Sequence, residues 1–528
     1  MDGGAAASLL SDAPSIQTEG DGTKASDETT PPYSFRYECH YFFAKGVPLG
    51  LSAFLEWGFP PLFAMIMAGQ TQNSQKLQEA LGYARVFYNI TTLMTLLSFS
   101  SYFFAVVPGC LGAGRRDRLP NYLFRSVTLV SAMLLPLAVL NAYAGEFYAA
   151  VGVTQEIADS VGTYCKWMII ASFLLMIEVH VEYSFVCLGY ARCAAFNSLL
   201  TGCGVDMITS YVFIYHLNLG TLGAALTQIA VKASRLFVWF CLALYYGVWR
   251  DLLVTQTREK LISLGETKVF LGQAVPQLLS FFTSWLVFEL QIIALAHIPR
   301  VPHAAVSAGA IWVNLESMIA AVQKGWLDVT GMRTLALLGR QDRGASSSFV
   351  IFCVLGSLLV ALSNIPMLLG SSAITRVLSN DPDVRHWLNQ IFWVLAIHQQ
   401  TRLPGINATQ LFVPLGKGSL SIWLNIFAFY VIATPICAVI ALTDLVTVDV
   451  QPKLVMAVAL SAIAQLVQAL MGGLYLCRAD WAALGKIISS RANNDITPSE
   501  ESRSPAAVTE GEGVAPLQAA ALEPQAGE

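Results

Sequence analysis

Val47-Pro48-Leu49-Gly50-Leu51-Ser52 leads to Glu56-Trp57, and 228 residues later (276 − 48) Val275-Pro276-Gln277-Leu278-Leu279-Ser280 leads to Trp285. Two further pairs keep almost the same offset. Gly114-Arg115-x-Asp117-Arg118 recurs as Gly339-Arg340-x-Asp342-Arg343, 225 residues on (339 − 114), and Leu188-Gly189 recurs as Leu415-Gly416, 227 on (416 − 189). A near-constant spacing in matching loops marks two related halves. Each half spans the distance of six helices, an even number, so the halves run the same way and are related by an axis along the membrane normal. Binding sites in such chains lie between the repeats near the membrane midplane.

The membrane enters through composition. The 528 residues have a mean hydropathy of +0.56, 55% hydrophobic and only 12% charged residues, where a soluble chain carries about a quarter charged. Apolar stretches of roughly 18–26 residues separate short charged islands, long enough to cross about 30 Å of hydrocarbon as helix. Spans are expected near 47–68, 86–107, 123–144, 166–187, 194–216 and 221–246, then near 269–296, 304–326, 349–370, 386–406, 419–442 and 453–477. The predicted fold class is therefore all-α integral membrane, with about twelve transmembrane helices in two parallel six-helix repeats. The N-lobe is expected over 45–246 and the C-lobe over 269–480. A cytoplasmic linker over 247–268 joins them, with disordered tails over 1–44 and, acidic, over 481–528. The tenth span is the most polar, because His398-Gln399-Gln400-Thr401-Arg402 and Pro404-Gly405 interrupt it.

Basic residues give the orientation. Arg115, Arg116 and Arg118 follow span 2. Arg250, Arg258, Lys260 and Lys268 lie between the halves, and Arg333, Arg340 and Arg343 follow span 8. The opposite loops are poorer, with Lys76 and Arg85 after span 1, none after span 3 or span 5, and Arg300 after span 7. The positive-inside bias predicts cytoplasmic termini for a multi-pass protein of the plasma membrane or an organelle membrane. The first thirty residues lack a signal-peptide pattern, and Asp2 removes an N-myristoylation site. A net charge of −4 gives no nucleic-acid footprint. The ten scattered cysteines include no CxxC pair, so neither a metal nor a disulfide is expected. No Walker A, HExxH or GxSxG motif is present, which argues against an enzyme and against ATP-driven transport. No cofactor is expected beyond H⁺ or Na⁺ as a coupling ion.

Ionisable residues inside spans cost about 2.5–3.5 kcal/mol each on insertion scales and so demand a partner, a cavity or a role. Glu289 lies in span 7 among apolar residues, twelve before the turn near Val301, and Asn314 lies thirteen after it, at matched depth. Such a carboxylate can exchange a proton or hold a cation, or it can be a structural acid bonded to a neighbouring helix. Asp206 and Lys232 lie thirteen residues either side of the turn near Leu219, which predicts an ion pair between spans 5 and 6, with Arg235 one turn on. Glu56 precedes Phe59-Pro60-Pro61, where two missing backbone donors should kink span 1. Glu178 and Glu182 are one turn apart on span 4, and Glu316 is two residues from Asn314. Each of these acids and Lys232 reads either as a coupling group or as a structural one. Trp285, Gln399 and Gln400 are expected at the substrate cavity, where aromatic faces suit a cationic or amphipathic ligand.

Several motifs make the chain resemble the multidrug and toxic compound extrusion (MATE) family over about residues 45–480. They are Gly112-Ala113-Gly114, Leu219-Gly220-x-Leu222-Gly223-Ala224-Ala225, Phe288-Glu289, Asp381-Pro382-x-Val384, and Asn425 through Tyr430-Val431 to Pro435. The resemblance implies a monomeric exporter of small organic molecules in exchange for H⁺ or Na⁺. By the same resemblance Glu289 corresponds to the span-7 coupling glutamate and Asn314 to a polar span-8 position. The chain departs from the family at His398–Arg402, at Val413-Pro414, at Pro108–Leu111 and at Asp206, where Asn is usual. Two other readings are open: a lipid-linked-sugar or lipid flippase of related architecture, and a major facilitator type transporter. The first needs a strongly cationic cavity, for which Lys232 and Arg402 are the candidates.

Overall fold

The computed structural model describes residues 32–71, 74–254, 264–296, 298–378 and 382–493. Among them are twelve long helices in two sets of six. The first set is α1 (35–69), α2 (74–112), α3 (Leu119–Ala142), α4 (Gln155–Cys187), α5 (Ala191–His216) and α6 (Gly220–Tyr245). The second is α7 (Leu264–Ala296), α8 (His303–Gly339), α9 (Ala345–Leu369), α10 (Pro382–Phe412), α11 (Gly418–Leu442) and α12 (Val450–Arg478). Eight of these, α2 to α6, α9, α11 and α12, are long and apolar enough by composition to cross a membrane. A further helix, α13 (Trp481–Asn493), follows α12.

Four boundaries differ from the hydropathy reading. Helix α1 begins at Phe35 within the expected tail, and α13 occupies the start of the other tail. Arg333, counted with a loop, lies inside α8 and is buried. Helix α10 runs unbroken through Arg402 and Pro404, because its polar side chains bond to α8 and α9 rather than opening the backbone. In α1 the missing donors of Pro60 and Pro61 are absorbed by a π-turn over Phe54–Gly58, which contains Glu56. Such single-turn bulges are frequent at functional positions.

The repeat is visible in the turns. Gly189 and Gly416 both take left-handed backbone, φ 102° and 75°. Each lets the next residue bond back to the helix, Tyr190 N to Phe185 O at 2.9 Å and Lys417 N to Phe412 O at 2.7 Å. After α2 and α8 the left-handed residues are Gly114 and Gln341, with φ 77° and 57°. These are 227 apart (341 − 114), so the Gly-Arg-x-Asp-Arg pair read at 225 is two residues out of structural register. The same offset pairs Gly112 with Gly339 and Gly109 with Ala336. A Cβ on Gly112 would collide with the Ala336 carbonyl, and one on Gly339 with the Gly109 carbonyl. The pseudo-two-fold thus passes between α2 and α8, where only glycine permits the approach.

Around this crossing the lobes meet on the face that carries the α2–α3 and α8–α9 turns. Arg333 Nε of α8 donates to both Glu38 oxygens of α1 at 3.1 and 3.0 Å, and Ser348 Oγ of α9 donates to Glu38 Oε2 at 2.8 Å. The rings of Tyr37 and Tyr41 lie 5.1 and 5.3 Å from the Arg333 guanidinium. Phe42 packs on Phe352 at 5.2 Å, and Phe270 of α7 lies 5.8 and 5.3 Å from Phe99 and Tyr102 of α2. Helix α13 lies across the join, with buried Leu484 and Ile488, the latter against Gly109. At the opposite face Arg300 and Lys453 both meet Asp444 in the α11–α12 connection. Bonded to Lys453, the Asp444 carboxyl is held below its ordinary range, so that tie is present at neutral pH and released only as acid protonates it.

Removing one member of a buried ion pair strands the other and costs about 3–5 kcal/mol. Glu38→Ala should therefore lower the thermal unfolding temperature of the detergent-purified protein markedly. A second change, Arg333→Met, should restore much of the loss, because no charge is then left unpaired.

Candidate functional site

Helix α6 presents Lys232 and Arg235 one turn apart, and α4 presents Glu178 and Glu182 at i,i+4, so each helix carries its charges on one face. Packed together, with the Glu56 π-turn of α1 alongside, they form a buried five-residue cluster. Lys232 Nζ donates to Glu56 Oε1 at 2.8 Å and to Glu178 Oε2 at 3.2 Å. Arg235 donates from Nε to Glu178 at 2.8 Å, and from Nη2 to Glu56 at 3.0 Å and Glu182 at 2.7 Å. Its Nη1 reaches Ser198 Oγ of α5 at 2.9 Å, which in turn lies 2.7 Å from Ser52 Oγ of α1. Glu178 and Arg235 side chains are 0% and 1% exposed, whereas Glu182 retains 16%. Lys232 also sits 5.3 Å over the Trp57 ring. Three carboxyl groups face two cations, so one carboxyl has no cation of its own in the count, and Glu182 is the acid most open to solvent.

The three carboxylates have oxygens within 4.8 Å of one another. The space among them is taken by the Lys232 ammonium and the Arg235 guanidinium, so the donor set is that of an ion-pair cluster and does not fit a metal.

Two cavities border the cluster. One, of about 190 Å³, lies between the lobes and is lined by Glu56, Trp57, Phe104, Glu182 and Tyr183 from the N-lobe and by Gln277, Phe281, Lys324, Asp328, Asn407 and Gln410 from the C-lobe, among others. Lys324 and Asp328 are paired at 2.6 Å within α8. The other, of about 100 Å³, lies inside the N-lobe and is lined by Glu56, Trp57, Pro60, Arg85, Tyr88, Tyr164 and Lys232, among others. Glu56 and Trp57 therefore stand in the wall between them.

The structure redistributes the expected residues. The Asp206–Lys232 pair does not form, since Lys232 is held by Glu56 and Glu178. Asp206 is 0% exposed, and neither of its oxygens has a hydrogen-bond partner among the described residues. Helical depth alone could not show this, because it fixes height in the membrane and not which face a residue occupies. Glu316 is bonded to Arg402 and lies 3.6 Å from His398 Nδ1. Gln399 and Gln400 do not line the interlobe cavity: Gln323 Nε2 donates to Gln399 Oε1 at 2.7 Å, and Gln400 Nε2 to the Ser357 carbonyl at 3.2 Å. Both serve the α8–α10 and α9–α10 packing. Glu289, Asn314 and Trp285 lie on α7 and α8, and their side chains are outside the described residues.

Sequence reading missed Ser52 and Ser198, whose signal was the repeat itself. Ser52 and Ser280 share the Val-Pro-x-x-Leu-Ser motif, and Ser198 and Asn425 are 227 apart (425 − 198). In the C-lobe Asn425 Nδ2 donates to Ser280 Oγ at 2.8 Å, and Gln468 Nε2 donates to Asn425 Oδ1 at 2.6 Å. The scaffold is common to both lobes, but in the C-lobe neutral Gln468 takes the part that Arg235 plays in the N-lobe.

No family model matches the chain. It is 21% identical over 368 residues to Protein DETOXIFICATION 9 of Arabidopsis thaliana, covering 66% of this chain and 72% of that protein. To Protein DETOXIFICATION 37 of the same plant it is 22% identical over 401 residues, 72% of this chain and 75% of that one. Among solved structures, the eukaryotic MATE transporter AtDTX14 superposes with a TM-score of 0.73 at 14% identity, covering 87% of this chain and 99% of that one.

The cluster's charge count sets an order of tolerance. Arg235→Met leaves three carboxylates with one cation and should cost about 3–5 kcal/mol, read as a large fall in unfolding temperature. Glu182→Gln removes the excess carboxyl from the most exposed position and should leave that temperature nearly unchanged. The chain thus shares the fold of the MATE transporters over most of its length and is similar in sequence to DETOXIFICATION proteins over about two thirds of it.

Proposed function

We propose that this protein is a secondary active transporter that exports small organic molecules, cationic or amphipathic, in exchange for H⁺ or Na⁺ by alternating access. The observation that carries this reading is the interlobe cavity, walled on one side by a buried cluster that holds one more carboxyl group than cations. A cavity between repeats is where such folds bind their substrates. An unmatched carboxylate in a low-dielectric wall calls for one positive charge, which a proton, a Na⁺ or an organic cation can supply in turn. Competition for that charge couples the two movements. The likeness to MATE transporters and DETOXIFICATION proteins supports the same conclusion.

Asp206 adds a second acceptor in the N-lobe, buried and without a hydrogen-bond donor among the described residues. In the C-lobe, Glu289 with Asn314 at matched depth is the coupling position implied by the family resemblance. With basic loops inside, both termini are cytoplasmic, and the joined face is the cytoplasmic one. The state described is then closed toward the cytoplasm, and the cycle opens that face to load substrate. One chain supplies both lobes, so a monomer suffices, in a plasma or organelle membrane. A flippase for an anionic lipid-linked sugar is disfavoured by the wall itself, where every cation is matched by a carboxylate.

Proteoliposomes with an imposed pH or Na⁺ gradient and a fluorescent organic cation provide the test. Gradient-driven accumulation is expected from the wild type, falling at least about tenfold in Glu289→Gln and in Glu182→Gln. A folded Glu289→Gln protein with undiminished accumulation would remove Glu289 from the mechanism. No response to either gradient would remove coupled export altogether.

A further inference from the structure

The C-lobe holds a buried carboxylate whose counter-charge cannot leave. Glu316 is 1% exposed, at membrane depth on α8, and Arg402 of α10 donates to it through Nη1. Among the described residues His398, one turn before Arg402, is another titratable group against it, with Nδ1 3.6 Å away. His398 in turn lies against the Trp312 ring of α8 at 5.8 Å. Gln323 of α8 bonds both the side chain and the backbone carbonyl of Gln399, at 2.7 and 3.2 Å. From α12, uncharged Gln465 lies beside His398. Glu289 on neighbouring α7, and Asp328 paired with Lys324 farther along α8, are other acids of this lobe.

Each of these contacts fixes α10 against α8, and both helices belong to one lobe. A rocking motion between lobes leaves them together. Arg402 does not lose its proton in a protein, so Glu316 is neutralised in every state of a cycle that keeps the lobe intact. Leaving Glu316 ionised and alone would cost several kcal/mol. A mobile ion could supply the missing charge, and here a side chain does so permanently.

We propose that Arg402 is a tethered counter-ion that fills, from within the chain, the place a proton or Na⁺ would take at Glu316. Glu316 is thereby withdrawn from ion exchange, and Arg402 is the positioning residue that withdraws it. Freed of Arg402, Glu316 becomes an ion-binding group.

Thermal unfolding of the purified full chain tests this without any transport assay, so its outcome does not depend on the exporter reading. Wild type, Arg402→Gln, Arg402→Lys, Glu316→Gln and the Arg402→Gln/Glu316→Gln double variant are compared in NaCl against choline chloride, and across pH. Arg402→Gln should gain a stabilisation by Na⁺, by lower pH or by both, several degrees beyond any shown by wild type. The double variant should lose that gain, and Arg402→Lys should respond as wild type does. Equal destabilisation of Arg402→Gln at every Na⁺ concentration and pH would overturn the proposal and leave a purely structural pair. Failure of Arg402→Gln to fold under any of these conditions, while the double variant folds, would overturn it too, since neither ion then replaces the side chain. Glu316→Gln with Arg402 intact should keep the wild-type ion response, and its loss would show that Glu316 exchanges ions after all.

Discussion

Arg235 is the interaction on which the N-lobe depends. One guanidinium joins α6 to α1 through Glu56, to α4 through Glu178 and Glu182, and to α5 through Ser198. In hydrocarbon these bonds have no competition from water, and a carboxylate that lost its share would be left costly and unsatisfied. Four helices are therefore committed to one arrangement by a single side chain. Those four helices are thereby held together, as a rocking of one lobe against the other would require.

The two lobes use one scaffold for different ends. Ser52 with Ser198, and Ser280 with Asn425, hold equivalent places, yet the first pair leans on Arg235 and the second on Gln468. The N-lobe thus carries a paired cluster with one more carboxyl group than cations facing a cavity. The corresponding C-lobe network is neutral, and the described acids of α8, Glu316 and Asp328, are matched by Arg402 and Lys324. Symmetry in backbone has been kept while symmetry in charge has been lost, so the lobes cannot contribute equally to any ion-linked step.

Most of the fold was legible in the sequence because membrane helices must satisfy their backbone internally and announce themselves as apolar blocks. Errors fell where that rule is relaxed. Arg333 reads as a loop cation and Glu38 as part of a tail, since neither suits hydrocarbon singly. Together they form a buried pair that lets α1 and α8 extend past their apolar blocks. The π-turn at Glu56 and the unbroken α10 were illegible for a similar reason, since partners on other helices decide both. Of the site, residue identities were readable and pairings were not. Lys232 and Arg235 were the cations at hand, but only packing shows that three glutamates, and not Asp206, take them.

Glu38–Arg333 differs from the pairs inside the lobes because it crosses between them. A motion that separates α1 from α8 and α9 on that face must break it, together with the Gly112–Ala336 and Gly339–Gly109 contacts. The loss is about 3–5 kcal/mol if the charges remain dry, and less if water enters the opening gap to solvate them. Because the pair reforms on return, a full cycle consumes none of this energy. Its effect is on populations: it favours the closed face until a ligand binds the opened state better by a comparable amount. In the proposed exchange the ion gradient and the latch act on separate quantities. There the gradient would set the direction of net movement, and Glu38–Arg333 the share of molecules with that face closed.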